Sequence, residues 1–127
     1  KQKLASTAGN EIMQGIIEIG EISLLTKVIE DSDASSLRTI ADQIRLKLDN
    51  AVFFLVGLNN SKAALVSGVT GQASDKINAS DLMKFVSKQV DGKGGGRPDM
   101  AQGIANDTDN LESALDSVVE YLNNKLN

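Results

Sequence analysis

Residues 91–103 read DGKGGGRPDMAQG, and the residue types there suit the binding of an anion. Four of the chain's 11 glycines lie between Gly92 and Gly96; Lys93 sits inside the run, Arg97 closes it, and the only proline follows at Pro98. Consecutive glycines adopt positive φ without steric cost, so their peptide N–H groups can converge on one concavity and hold phosphate oxygens. Lys84 and Lys88 lie four apart on a helical pattern just upstream and share a face. Between Lys84 and Arg97 there are four cations against one anion, Asp91, in a chain whose net charge is −4. A plainer reading also fits: a flexible connection between a helix and a strand, beside an ordinary solvated lysine face. Two motifs are excluded. No Gly-Lys-Ser/Thr completes a Walker A loop, and the glycines follow a helix rather than a strand, unlike a dinucleotide-binding fingerprint.

Other chemistry is limited by what is missing. The chain has no histidine and no cysteine. Thiol nucleophiles, serine–histidine triads, disulfides and the usual zinc ligand sets are therefore ruled out for these residues, and a metal would have only carboxylates. Lack of cysteine fits a cytoplasmic protein. No apolar run reaches the roughly 20 residues of a membrane helix, and KQKLASTAGNE at the start has no signal-peptide apolar region. With 127 residues, 41% hydrophobic and only three Phe and one Tyr, the expectation is one domain with an aliphatic core.

The elements that must position the glycine run are legible in outline. Leu4, Ala5, Ala8, Ile12, Met13 and Ile16 have helical spacing, weakened by Gly9 and Gly15. A strand is expected at about 21–30, then the polar turn DSDASS. Leu37, Ile40, Ala41, Ile44 and Leu48 mark an amphipathic helix over about 35–49. AVFFLVGL, 51–58, is apolar throughout and reads as a buried central strand; NNSK then signals a hairpin into AALVSGVT, 63–70. A further helix over about 78–91 carries Ala79, Leu82, Met83, Val86 and Val90 inward. After the glycine loop, MAQGI is short enough for a last strand. The final helix has Asp109 and Glu112 at capping-box spacing and a stripe of Leu111, Leu115, Val118, Val119 and Leu122. The fold class expected is α/β (α+β), a mixed β-sheet layered with helices, in the order β-α-β-β-α-β-α after a leading helix.

GKGGGRPDMAQG resembles the signature of the C-terminal domain of bacterial-type alanyl-tRNA synthetases, a module shared more widely as the DHH-associated domain. Its relatives in single-strand exonucleases and small phosphodiesterases carry Gly-Gly-Gly-His where this chain has Gly94, Gly95, Gly96 and Arg97; Arg97 to Gln102 resembles the synthetase branch. LRTIADQIRLKL and KAALVSGVT also fit the pattern. One departure is that the synthetase motif commonly ends in Gln-Gly-Gly or Gln-Ala-Gly-Gly, whereas here Gly103 is followed by Ile104. The resemblance implies residues 1–18 as the end of a helical linker or dimerisation segment and 19–127 as a globular tRNA-binding domain. It implies no catalytic centre here, with the aminoacylation and editing centres of the parent chain upstream. ATP and Mg, with Zn as a further candidate, would belong to that parent and none to this fragment. The implied partners are alanine tRNA, the upstream domains and a candidate homodimer, with no membrane. The implied role is contact with the outer corner of tRNA, in aid of aminoacylation and editing. The implied contacts are Lys84, Lys88, Gly92, Lys93, Gly94, Gly95, Gly96, Arg97 and Gln102. Gln102 either reads a base edge or satisfies a strand end. Asp99 is expected to orient Arg97 or cap a turn, and Met100 to join the core. The other readings are a single-strand-binding module of a DHH-type nuclease or phosphodiesterase, and a structural dimerisation domain.

Overall fold

A computed structural model describes residues 16–59 and 62–126. The expected leading helix falls on residues outside that range apart from Ile16. Ile17 and Glu18, the last two residues assigned to the linker, belong instead to a short strand.

AVFFLVGL shows why the sheet is built as it is. Alternate residues of a strand face opposite ways, and here both sets are apolar, so both faces must be covered. Strand β3 (Ala51–Asn59) accordingly lies inside a six-stranded sheet. The strands are β1 (Ile17–Ile19), β2 (Ile22–Glu30), β3, β4 (Lys62–Val69), β5 (Gly92–Gly96) and β6 (Met100–Ala105). Their order is β1-β2-β3-β4-β6-β5, so β5 is an edge. Only β2 and β3 pair in parallel, through the crossover helix α1 (Ala34–Lys47); every other pair is antiparallel. The β3–β4 hairpin closes with Asn59 opposite Lys62, as NNSK suggested.

On one face Phe53, Leu55, Leu25 and Val66 meet Leu37, Ala41 and Ile44 of α1. On the other, Val52, Phe54, Val56, Leu24 and Leu65 meet α2 (Ala79–Gln89) through Leu82, Met83 and Val86, and α3 (Leu111–Leu126) through Leu115, Val118 and Leu122. Each fully buried Leu or Phe contributes about 1.5–3 kcal/mol by leaving water. The class is the mixed, helix-layered α+β sheet expected, with β1 and β5 added to the strands read from sequence. A 3₁₀ turn (Gly71–Asp75) also joins β4 to α2.

The helix ends explain their own positions. The Asp33 carboxylate accepts the N–H of Ser36 at 2.9 Å at the start of α1; that bond holds its carboxyl below the ordinary range. Asn78 accepts the N–H groups of Ser80 and Asp81 at the start of α2. Before α3, Asp107 rather than Asp109 organises the turn, accepting the N–H of Asp109 and the side chain of Asn110. The expected Asp109 cap is displaced because α3 begins at Leu111, two residues later than Asp109.

Candidate nucleic-acid interface

The glycine run is a strand. Gly92 to Gly96 pair with Ala105 to Ala101, and Arg97-Pro98-Asp99-Met100 turns the chain between them. Proline suits the second position of such a turn because its φ is preset. Arg97 N–H donates to the Met100 carbonyl at 2.9 Å and Met100 N–H donates back to Arg97 at 3.3 Å. Successive N–H groups of a strand point opposite ways, so the concave nest allowed by the sequence does not form. What forms instead is an open edge. Doubly bonded pairs alternate along an antiparallel ladder. With Arg97–Met100 bonded, Gly95–Gln102 and Lys93–Ile104 follow, and Gly92, Gly94 and Gly96 turn their amides outward.

The glycines divide by what stands over them. A Cβ on Gly94 would lie 2.5 Å from Met83 Cγ, and one on its partner Gly103 would lie 2.9 Å from Met83 Sδ and 2.6 Å from the Lys93 carbonyl oxygen. Helix α2 thus presses a methionine onto bare backbone. A Cβ on Gly92 would meet the Ile104 carbonyl at 2.1 Å, and on Gly96 the Ala101 Cα at 2.8 Å. Gly95 alone of the run has room, with its nearest neighbour, Ser80 Oγ, at 3.9 Å.

The expected cations do not share one face. Because Gly94 and Gly103 face α2, Lys93 and its partner Ile104 face the other way. Helix α1 packs chiefly over β3 and β4, so beyond β4 that face of β6 and β5 is a shelf. Ile104 is 50% exposed there, and Lys93 is exposed. Gln102 lies on the same face, between Val66 of β4 and Gly95, and is half-buried. Lys84 and Lys88 are exposed on the solvent side of α2, in the layer behind the sheet. The structure therefore brings together Lys93, Gly95, Arg97 and Gln102 and sets the α2 lysines apart.

The turn is fixed by its backbone. The Pro98 carbonyl accepts the first N–H of α2, from Ala79, at 2.7 Å, and the Asp99 carbonyl accepts the N–H of Val69 at 3.0 Å. Its side chains are loose: Asp99 Oδ2 is 3.4 Å from Arg45 Nη2 and Asp99 Oδ1 is 4.0 Å from Arg97 Nε. Asp99 thus lies beside Arg97, one of its two expected roles, while the turn is closed by backbone bonds and not by its carboxylate; the carboxylate also engages Arg45, which sequence reading missed. Arg45 and Arg38 are seven residues apart on α1, two turns, and so lie on one flank. That flank faces β6, since Arg45 reaches the β5–β6 turn. The sequence signal available was this seven-residue spacing beside the apolar stripe. Met100 packs partly buried against the α1-side core, as expected.

Among the described residues no cluster of three or more carboxylates could hold a metal ion, and no helix is long and apolar enough to cross a membrane. The site offers guanidinium, ammonium and backbone N–H donors.

The DHHA1 domain profile matches residues 21–124, which include the sheet from β2 onward, the glycine edge strand and the Arg-Pro-Asp turn. The chain belongs to the DHHA1 domain family. Within it, the chain is similar to the C-Ala domain from Aquifex aeolicus alanyl-tRNA synthetase, with a TM-score of 0.81 and 32% identity over 87% of this chain and 99% of that one. It is 40% identical over 126 residues to an alanine–tRNA ligase of Burkholderia thailandensis and 42% identical over 122 residues to that of Herminiimonas arsenicoxydans. The chain spans 14% of the length of those relatives. A pGpG-specific phosphodiesterase, PggH from Vibrio cholerae, matches at TM-score 0.55 and 14% identity, covering 98% of this chain and 40% of that one, a likeness of fold alone.

Proposed function

We propose that this chain is the C-terminal tRNA-binding domain of an alanine–tRNA ligase, without a catalytic centre of its own. The observation that carries this reading is the similarity to the C-Ala domain, which this chain covers almost completely. Ligation of alanine, with its ATP and metal chemistry, belongs on this reading to other parts of a longer cytoplasmic protein. The domain holds the outer corner of tRNA, where the D- and T-loops meet, and so helps present the acceptor end for aminoacylation and editing.

The contact is made by the edge and shelf of β5. The outward amides of Gly92, Gly94 and Gly96 donate to phosphate and sugar oxygens, which approach closely because no Cβ intervenes. Lys93 and Arg97 supply the charge, and Gln102 reaches the sugar–phosphate chain from the shelf. Lys84 and Lys88 attract RNA from behind the edge without touching the same phosphates. A net charge of −4 opposes RNA at long range, so binding depends on this local arrangement.

The test is a titration of the chain with alanine tRNA across a salt series, beside the Lys93→Ala, Arg97→Ala double variant. Each lost phosphate contact removes about one unit from the slope of log K against log salt, so a drop of about two is expected while the circular dichroism spectrum is kept. Absence of binding by the parent chain, or equal binding by the folded variant, would overturn the assignment.

A further inference from the structure

Among the described residues there are only two ion pairs, and both end on Asp99. A chain with 13 Lys and Arg and 17 Asp and Glu has ample opportunity for more. One carboxylate oxygen serves Arg45 and the other Arg97, so Asp99 occupies the position of an anion between two guanidinium groups. Neither pair is tight. At 3.4 and 4.0 Å, with the side chains 36%, 75% and 44% exposed for Arg45, Arg97 and Asp99, water competes for all three groups. Exposed pairs of this kind add at most a small stabilisation. Nor is the carboxylate needed to hold the turn, because the carbonyls of Pro98 and Asp99 and the mutual bonds of Arg97 and Met100 do that.

We propose that Arg45 and Arg97 form a two-guanidinium site for one RNA backbone phosphate, and that Asp99 fills this site in the free protein as an internal anion which the phosphate displaces. This inference rests on the tRNA-binding reading above and adds α1 to the surface. A phosphate offers more acceptor oxygens and more charge than a carboxylate, and guanidinium groups bind it in fork geometry. The direction of approach follows from the neighbouring charges. The cleft below the turn is lined by three carboxylates, Asp42, Asp49 and Asp99, against two cations, Arg45 and Lys47, so its balance is negative and disfavours a phosphate from that side. The shelf side carries Lys93 and the flank of Arg38. The phosphate therefore comes across the β5–β6 face, and α1 forms the wall against which the strand lies. Asp99 also makes the site selective: a single free anion gains little by displacing it, whereas an RNA already held at β5 delivers its next phosphate at high local concentration.

Two roles for Asp99 predict opposite signs. If the carboxylate only holds the two arginines in position, removing its charge loosens them and weakens RNA binding. If it competes with phosphate, removing its charge strengthens binding. The experiment is a tRNA titration at low and moderate salt with Asp99→Asn, Arg45→Ala, Asp42→Asn and Lys47→Ala. Asp42→Asn removes a negative charge of the same cleft that pairs with no arginine among the described residues, and Lys47→Ala removes a cation of that cleft that pairs with no carboxylate there. Expected are binding about 3- to 10-fold tighter for Asp99→Asn and about 5- to 10-fold weaker for Arg45→Ala, with changes under about 2-fold for both controls. Unchanged or weaker binding by Asp99→Asn, or tightening no greater than that of Asp42→Asn, would overturn the proposal. So would Arg45→Ala binding as tightly as the parent. If Asp99→Asn fails to fold, Arg45→Ala against Lys47→Ala still decides. A parent chain that binds no tRNA would instead sink the functional reading itself, which separates the two failures.

Discussion

The sheet contains two antiparallel hairpins flanking one another, and they divide the work of the molecule. Strands β3 and β4 are filled with Phe, Leu and Val on both faces and lie between helices. Strands β5 and β6 are filled with glycine and alanine, are covered by a helix on one face only, and end at an open edge. Side-chain volume is the cause. Large residues in the first hairpin hold α1, α2 and α3 away from the strand backbones and build the core between them. Small residues in the second let α2 approach until Met83 touches backbone, and leave the opposite face too flat to form a core. The same absence of side chains that makes the second hairpin a poor core makes it a good surface for a polyanion.

The sharpest way to break the comparison is to remove volume from the first hairpin and add it to the second. Phe54→Ala should cost about 3–5 kcal/mol in urea denaturation, because the ring is fully buried among α2 and α3 residues. Gly94→Ala should cost about 1–3 kcal/mol, since its new methyl group meets Met83 in a site with no slack. Met83→Ala in the same chain should recover part of that loss, a coupling that a double-mutant cycle would read. Gly95→Ala should change stability by less than about 0.5 kcal/mol, since its Cβ has room. Equal costs at Gly94 and Gly95 would mean that backbone freedom rather than contact with α2 governs the run.

Gly95→Val then isolates the surface from the fold. The branched side chain has room over Gly95 but stands where a sugar–phosphate chain would lie. RNA affinity should fall several-fold with the helix signal intact. Loss of helix content in this variant would assign the whole run to packing.

The large features of this fold were legible because they depend on strong local signals. An eight-residue apolar run between turn residues reads as a buried strand, and three stripes at helical spacing read as helices. The edge strand was missed because GKGGG has no alternation of apolar and polar residues. Its strand geometry is imposed by pairing with β6 and by contact with α2, neither of which is local. The signal that could have revealed it was Arg-Pro-Asp set between two short segments, a turn with proline at its second position. The cations had a similar limit. Lys93 and Arg97 stood out in the sequence because they adjoin the glycines. Arg45 lies 54 residues from its partner in the chain, and spacing gave no hint of which strand its flank would meet. The lysine pair at 84 and 88 was correctly read as one helical face, yet which side of the sheet that helix covers was a question of topology.

The smallest expected effect concerns α1, which carries Arg45 and so joins the two regions. Asp33 caps this helix through the N–H of Ser36, and that bond lowers the pKa of its carboxyl. A carboxyl whose folded pKa lies below its unfolded value contributes stability that is fully present above the unfolded value, about 3.9. That contribution disappears as pH falls through the lowered folded pKa. Asp33→Ala should therefore lower the melting temperature slightly at pH 7 and make less difference as pH falls below about 4. Its effect on tRNA binding shows whether the two regions are coupled. If the start of α1 only frays, Arg45, three turns away, keeps its place and affinity is unchanged. If affinity falls as much as it does for Arg45→Ala, the helix moves as one body and its cap contributes to the RNA surface.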